Sequence, residues 1–201
     1  MRKILTAIIV VALSMSAGCA KTEVPAVTPA PTDEIITELP NMPMSFSFSS
    51  GSGGWSTDVL LQADGMFTGQ FHDSDLGDIG DEYPNGTFYE CLFSGKFTDI
   101  RKINDFEYAM TLENLDYDAT KAETIVDGVK IVSTEPYGFD NASEFSFYLI
   151  GKDTSDLPPE FLDWARIAWD MGDTPDVLPV YGLYNIEGQQ GFVSNDTADL
   201  L

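Results

Sequence analysis

Positively charged side chains are scarce in this chain. Its 201 residues include 10 Lys and Arg but 33 Asp and Glu, which gives a formal charge of −23 at pH 7. Such a surface repels phosphate backbones, because nucleic-acid binding depends on Lys and Arg that displace counterions. We therefore expect no nucleic-acid partner. The same field concentrates cations and basic molecules, so a cationic or small-molecule ligand is the expected partner.

Histidine is scarcer still, and this limits the enzyme classes that fit the sequence. His72 is the only histidine, so any histidine-dependent triad or zinc site must use it. The sequence contains no G-x-S-x-G elbow, no Walker loop and no dinucleotide-binding glycine pattern. Carboxylate pairs suited to glycoside cleavage are inevitable among 33 acidic residues and indicate nothing specific. We expect a protein that is not an enzyme.

The N-terminus has the pattern of a secretory signal. Arg2 and Lys3 precede an apolar run over residues 4–13. This run is shorter than the roughly 20 residues that span a bilayer. Exported proteins typically begin with such a segment: a charged start, a short apolar run and then small residues before a cleavage site. The end of this segment resembles the lipobox of bacterial lipoproteins, with serine where leucine is more usual: Ser16, Ala17, Gly18 and Cys19.

The lipobox resemblance implies that residues 1–18 are removed and that Cys19 becomes a lipidated first residue. The chain is then a lipoprotein anchored, through palmitate or a similar acyl group, at the extracytoplasmic face of the cell membrane. Cleavage removes two basic residues and lowers the formal charge from −23 to −25. Because Cys19 is committed to lipid, Cys91 has no intramolecular disulfide partner. We expect Cys91 to be an inert thiol in a hydrophobic core.

The sequence predicts two segments after the signal. Residues 19–43 contain five prolines with threonines between them, a composition that favours an extended, stiff tether. Residues 44–201 are predicted to form a single acidic domain rich in β-strands. Its hydrophobic content is too high for a disordered chain, since the full sequence is 43% hydrophobic and 12% aromatic.

Alternating apolar residues predict strands throughout this domain. Met44, Phe46 and Phe48 alternate with serines, which provides one face for burial. Asp64 and Gly65 lie between two apolar pairs and predict a tight hairpin. About eight short strands and one late helix, over about residues 158–171, indicate an antiparallel fold. The two open alternatives are a lipocalin-like up-and-down β-barrel and a β-sandwich.

An acidic segment at residues 72–82 is a candidate calcium site. Asp73, Asp75 and Asp78 with Gly77 form the pattern D-x-D-x-G-D, which resembles a calcium-binding loop with two positions exchanged. No glutamate stands at the twelfth position, which is Pro84. The alternative is a solvated acidic loop that joins two strands.

A second candidate site is the interior of the barrel. Eight-stranded barrels can hold one small ligand. The alternative is that the inward aromatic side chains fill one another's space. The residues expected to line the interior are Phe46, Phe48, Trp55, Phe67, Phe71, Tyr89, Phe93 and Tyr108.

Several segments together resemble a group of surface lipoproteins from Gram-positive, clostridia-like bacteria. The likeness covers most of residues 44–150 and extends to residues 178–184. No activity is attached to that group, so the resemblance implies a cell-surface location and no mechanism. The segments that carry it are Gly53-Gly54-Trp55-Ser56-Thr57, Asp64-Gly65, Asp73-Ser74-Asp75-Leu76-Gly77-Asp78, Tyr83-Pro84-Asn85-Gly86-Thr87 and Phe93-Ser94-Gly95-Lys96-Phe97.

Taken together, these patterns predict a lipid-anchored, monomeric, non-catalytic module that binds a small ligand or a cation. The alternative is a structural or adhesive surface lipoprotein without a small-molecule ligand.

Overall fold

The computed structural model describes residues 34–169 and 172–195. The fold is mainly β, with a closed antiparallel barrel of eight strands and one short helix late in the chain. This confirms the predicted fold class and decides between barrel and sandwich in favour of the barrel. The predicted signal peptide, Cys19 and most of the predicted tether lie outside the described residues.

The structure contains eleven strands in the described residues. The helix α1 spans Pro159–Ala165 and continues as a 3-10 turn over Arg166–Trp169. A second 3-10 turn covers Thr154–Asp156. The strands are β1 (Glu34–Ile35), β2 (Met44–Ser49), β3 (Trp55–Leu61), β4 (Met66–Asp75), β5 (Thr87–Asn104), β6 (Glu107–Tyr117), β7 (Glu123–Val126), β8 (Val129–Ser133), β9 (Glu144–Tyr148), β10 (Gly182–Asn185) and β11 (Gln190–Ser194).

The barrel is of the up-and-down type. Its strands follow chain order as β2, β3, β4, β5, β6, β9, β10 and β11, and each pair of neighbours is antiparallel. The pairing of β11 with β2 closes it, with Val193 opposite Ser47 and Ser194 opposite Phe46. Closure removes the exposed sheet edges of these strands, whose unpaired backbone groups could otherwise pair with another chain. The β7–β8 hairpin is inserted between β6 and β9, and β8 pairs in parallel with the start of β5.

The predicted alternation determines which side chains face the interior. In β2, Met44, Phe46 and Phe48 are buried and Ser45 is exposed. The Asp64–Gly65 turn forms as predicted, with Gly65 at a φ of 82°, a conformation that glycine adopts without strain. It sets Leu61 opposite Phe67 in the β3–β4 pair.

The folded domain begins before the predicted boundary at residue 44. In β1, Glu34 and Ile35 pair with Lys102 and Arg101 of β5. Leu39 is buried in the barrel core, and its N–H donates to the Ala63 carbonyl at 2.7 Å. The predicted tether therefore overlaps the domain over its last ten or so residues.

A loop between β8 and β9 fills the barrel interior. Phe139 lies in the core, 6% exposed, with its ring centroid 5.2–5.7 Å from those of Phe67, Phe93, Phe145 and Phe192. We call residues 137–140 the plug loop.

Two buried polar side chains at the β10–β11 hairpin hold the plug loop. Asn185 donates to the carbonyls of Gly138 and Asp140, at 3.2 and 3.0 Å. Gln190 accepts from the Asp140 N–H at 3.1 Å and donates to the Asp140 carboxylate. These bonds satisfy buried groups that are costly to leave unpaired.

The helix covers the outer side of the barrel, and its Trp164 also reaches one end of the barrel, where its ring centroid lies 4.6 Å from that of Phe48. Phe161 of α1 is fully buried and packs over Gly182 and Gly191, where side chains would collide with its ring. It contacts Tyr148 and Tyr184, which point outward from β9 and β10. This second core is why both faces of β10 and β11 are buried.

Candidate functional site

The interior of the barrel is packed with side chains. Six of the eight aromatic residues predicted to line it are buried, whereas Trp55 and Tyr89 are partly buried and pack against the same cluster. Phe139, which was not among the residues predicted to line the interior, lies at its centre, against rings from four strands. The sequence gives little indication that Phe139 is buried, because Tyr137 and Phe139 lie in a segment without the alternation typical of a strand. The expectation that these aromatic residues fill one another's space therefore fits the packing of the described residues.

Cys91 lies in this packed core, as expected. It is 5% exposed. Burial, with a smaller effect from the negative charge of Asp118, raises the pKa of its thiol to about 11. At neutral pH the group stays protonated, and the thiolate is the reactive form of cysteine.

The predicted calcium loop is tied together by its own hydrogen bonds. Asp75 accepts from the backbone N–H groups of Gly77 and Asp78, at 2.8 and 3.1 Å. Asp73 accepts from the N–H of the next residue, Ser74, at 2.7 Å. These carboxylates organise the turn that follows β4, as aspartates at turns commonly do.

Asp78 is engaged by a cation from another element. Its Oδ2 lies 2.7 Å from Lys130 Nζ and accepts from Thr87 Oγ1 at 2.8 Å. The hydrogen bonds from Lys130 and Thr87 lower the pKa of the Asp78 carboxyl. Lys130 also lies over the Tyr83 ring, 4.4 Å from its centroid. This contact joins the acidic loop to the β7–β8 hairpin.

Asp73, Asp75 and Asp78 do not form a metal-ligating group. Among the described residues, no three His, Cys, Asp or Glu side chains are placed to hold one metal ion. The geometry therefore gives the calcium hypothesis no support and favours the alternative, a loop with internal bonds.

We expect calcium to have no selective effect on stability. Because Lys130 pairs with Asp78 and two backbone N–H groups donate to Asp75 Oδ1, calcium would compete with existing contacts. The Tm in millimolar calcium should therefore equal the Tm in magnesium at the same concentration and ionic strength. A rise in calcium alone that is lost in Asp75→Asn would contradict this expectation.

The single histidine belongs to a polar cluster on the outer wall. Nδ1 of His72 lies 3.4 Å from Ser56 Oγ, and Ser56 Oγ donates to Asp58 Oδ2 at 3.1 Å. In a catalytic triad the carboxylate orients the histidine. Here the carboxylate of Asp58 contacts Ser56 and not His72, so the three residues do not have the Asp–His–Ser arrangement of a triad.

Two adjoining depressions lie on the outside of the barrel. A row of paired residues crosses the strands, and its members are Ser45, Leu60, Thr68, Ser94 and Asp116. Thr68 and Ser94 are short and form a floor. The neighbouring rows form the walls, with Gln70 opposite Leu92 on one side and Met66 opposite Lys96 on the other. We call this surface the outer trough.

The outer trough has the volume of a ligand site. Two depressions of about 600 Å³ and about 440 Å³ adjoin at Thr68. Ligand sites in proteins commonly measure about 300–1,000 Å³. Strand register brings together the outward residues of β2–β6 that line the two depressions, and Glu38 and the β3–β4 turn complete the first one.

The outer trough contains both exposed apolar side chains and carboxylates. Leu92, Met66 and Leu60 are 77%, 54% and 41% exposed. The carboxylates of Glu38, Asp64 and Asp116 line the first depression, and that of Asp58 lines the second. Lys96 also lines the first depression, where its Nζ lies 3.6 Å from Glu113 Oε2. An amphipathic cation matches this combination of exposed apolar surface and negative charge.

Comparisons with known proteins leave the family open. The family model described as arabinogalactan protein 40 matches residues 1–43, the segment predicted to hold the signal peptide and tether. No curated protein matches the chain, and no solved structure matches it. Within residues 34–169 and 172–195, no helix combines the length and apolar character needed to cross a membrane.

Proposed function

We propose that this chain is a lipid-anchored extracytoplasmic protein whose barrel binds an amphipathic cation in the outer trough. The observation that carries the proposal is the contrast between a packed interior and an open acidic groove on the wall. A ligand for the interior would have to displace Phe139, whereas a ligand for the outer trough needs no rearrangement of the core.

The charge of the protein supports a cationic ligand. A formal charge of −23 raises the local concentration of cations and accelerates their association. The exposed Leu92 and Met66 add apolar surface that a hydrated metal ion does not use. The ligand class is therefore an organic amine with an alkyl portion rather than a bare ion.

The anchoring part of the proposal rests on the sequence of residues 1–19. An acyl chain on Cys19 would hold the barrel at the outer face of the membrane, with the remaining residues before β1 as a spacer. No catalytic step is assigned, because the Ser56–His72–Asp58 cluster lacks the order of a triad. The alternative is a structural or adhesive surface protein, which would not bind the amine.

Binding is tested with a long alkyl diamine and the full-length protein. We expect the diamine to shift the backbone NMR signals of Thr68 and Ser94, and magnesium chloride at equal ionic strength to leave them unshifted. Ser94→Trp fills the floor of the outer trough and should abolish binding. Asp116→Asn should weaken it about two- to fivefold, the range for exposed ion pairs.

The matched control for Asp116→Asn is Asp173→Asn, which makes the same charge change at an exposed site outside the trough. Equal weakening by both variants would show that only the overall charge attracts the amine, and would overturn the trough as the site. Anchoring is tested separately with Cys19→Ala, which should release the protein from the membrane fraction. Cys91→Ala is its control and should remain membrane-bound.

A further inference from the structure

The β7–β8 hairpin leaves one open strand edge outside the barrel. β8 pairs with β5 on one side and with β7 on the other. Among residues 34–169 and 172–195, no strand pairs with the far edge of β7. Asp127 and Gly128 lie between apolar residues, which is a sequence signal for a hairpin. Their φ values of 51° and 79° fit a two-residue turn of the primed type.

The register shows which backbone groups of β7 point outward. Lys130 donates its N–H to the Gly86 carbonyl at 3.1 Å, so its backbone groups face β5. Ile125 lies opposite Lys130 in the antiparallel β7–β8 pair. Along an antiparallel pair of strands, two kinds of opposite residues alternate: in one kind the two residues hydrogen-bond each other, and in the other kind their backbone groups point away from each other. The N–H and C=O of Ile125 therefore point away from β8, and those of Glu123 do the same.

This edge carries little protection against another strand. All four residues of β7 are exposed, with Ile125 at 45% and Val126 at 51%. Natural edge strands are commonly blocked by lysine, proline or a bulge. β7 contains none of these, and its pairing with β8 has no register shift. Strand addition to such an edge is a known mode of peptide recognition.

Charge decides which occupant fits the edge. A second copy of the chain would bring another formal charge of −23 to the contact. Glu123 lies on the edge itself, and Asp127 lies at the adjacent turn. Both features favour an extended segment that carries positive charge.

We propose that β7 is a docking edge to which an extended, positively charged segment of a second protein adds as a further strand. The backbone groups of Glu123 and Ile125 supply the hydrogen bonds, and Ile125 and Val126 supply apolar contacts on opposite faces. This interaction is independent of the outer trough.

The probe is a short fluorescent peptide of alternating Lys and Val, measured by anisotropy with the full-length protein at physiological ionic strength. Ile125→Pro removes the outward N–H and keeps every β7–β8 hydrogen bond, so proline is tolerated there as on other edges. We expect it to weaken peptide binding about tenfold, the equivalent of one net hydrogen bond. Peptide binding should also slow hydrogen exchange of the Ile125 amide in the wild-type protein.

Two controls separate strand addition from other causes. A peptide of the same charge with alternate N-methylated residues cannot complete the hydrogen bonds. Even if the proline variant misfolds, this peptide should fail to bind Ser94→Trp, in which the outer trough is filled. The unmethylated peptide should still slow hydrogen exchange of the Ile125 amide in Ser94→Trp, because β7 lies outside the outer trough. Equal binding of the methylated and unmethylated peptides to Ser94→Trp would overturn the proposal. Dimerisation of the protein through β7 that is lost in Ile125→Pro would also overturn it.

Discussion

Phe139→Ala should lower the free energy of unfolding by about 3–5 kcal/mol, the range for removing a buried phenylalanine. Phe139 is 6% exposed and contacts four other phenylalanine rings from β4, β5, β9 and β11. The surrounding strands are held in a closed barrel and cannot collapse into the space. A cavity therefore remains at the centre of the interior.

The measurement is urea unfolding of the full-length protein, with Phe106→Ala as the matched control. Phe106 is 43% exposed, so its loss should cost about 1 kcal/mol or less. A second readout is ligand rescue, because an apolar cavity of this kind binds benzene. Benzene should raise the Tm of Phe139→Ala and leave that of the wild-type protein unchanged. Equal costs for the two substitutions would show that the plug loop does not fill the barrel.

Gly95→Ala should also destabilise the protein strongly, although it adds a single methyl group. Gly95 faces the interior opposite Phe67. A Cβ at this position would collide with the Phe67 ring and with the backbone carbonyl of Asn114. A ring can turn aside, but the carbonyl belongs to the β5–β6 pair and cannot move without breaking it. We expect a loss at the upper end of the range of about 1–3 kcal/mol for an overpacked core.

The control for Gly95→Ala is Gly54→Ala, where a Cβ meets no atom within 4 Å. That substitution should be neutral or slightly stabilising, because alanine restricts the unfolded chain more than glycine does. Urea unfolding of both variants measures the difference. A neutral Gly95→Ala would mean that β5 and β6 shift apart at this point, and that the packing of Phe67 is looser than the structure shows.

The strands could be predicted because their signal is local. Alternating burial in β2 depends on a period of two, which Met44, Phe46 and Phe48 carry by themselves. The Asp64–Gly65 turn depends on adjacent residues that tolerate its dihedral angles. The helix was placed correctly, but it ends as an α-helix at Ala165 and becomes a 3-10 turn, short of the predicted end near residue 171.

The candidate sites could not be predicted in the same way, because they depend on partners distant in sequence. Asp73, Asp75 and Asp78 look like a ligand set along the chain. The structure instead places Lys130, fifty-two residues after Asp78, against the last of them. The outer trough likewise combines residues of five strands through their register. None of its members forms a motif with its sequence neighbours.

By itself, the sequence determined a strongly acidic, mainly β domain with one late helix and no G-x-S-x-G, Walker or dinucleotide-binding motif. The lipoprotein-like signal at the N-terminus stays a prediction. Each of these follows from composition or from spacing within a few residues. Only the tertiary structure decided that the sheet closes, that Phe139 fills the interior, that the outer trough forms on the barrel wall, and that β7 has an unpaired edge within the described residues. The physical reason is that closure and packing are set by contacts such as β11 with β2. The energy of these contacts depends on how the whole chain folds rather than on any local pattern.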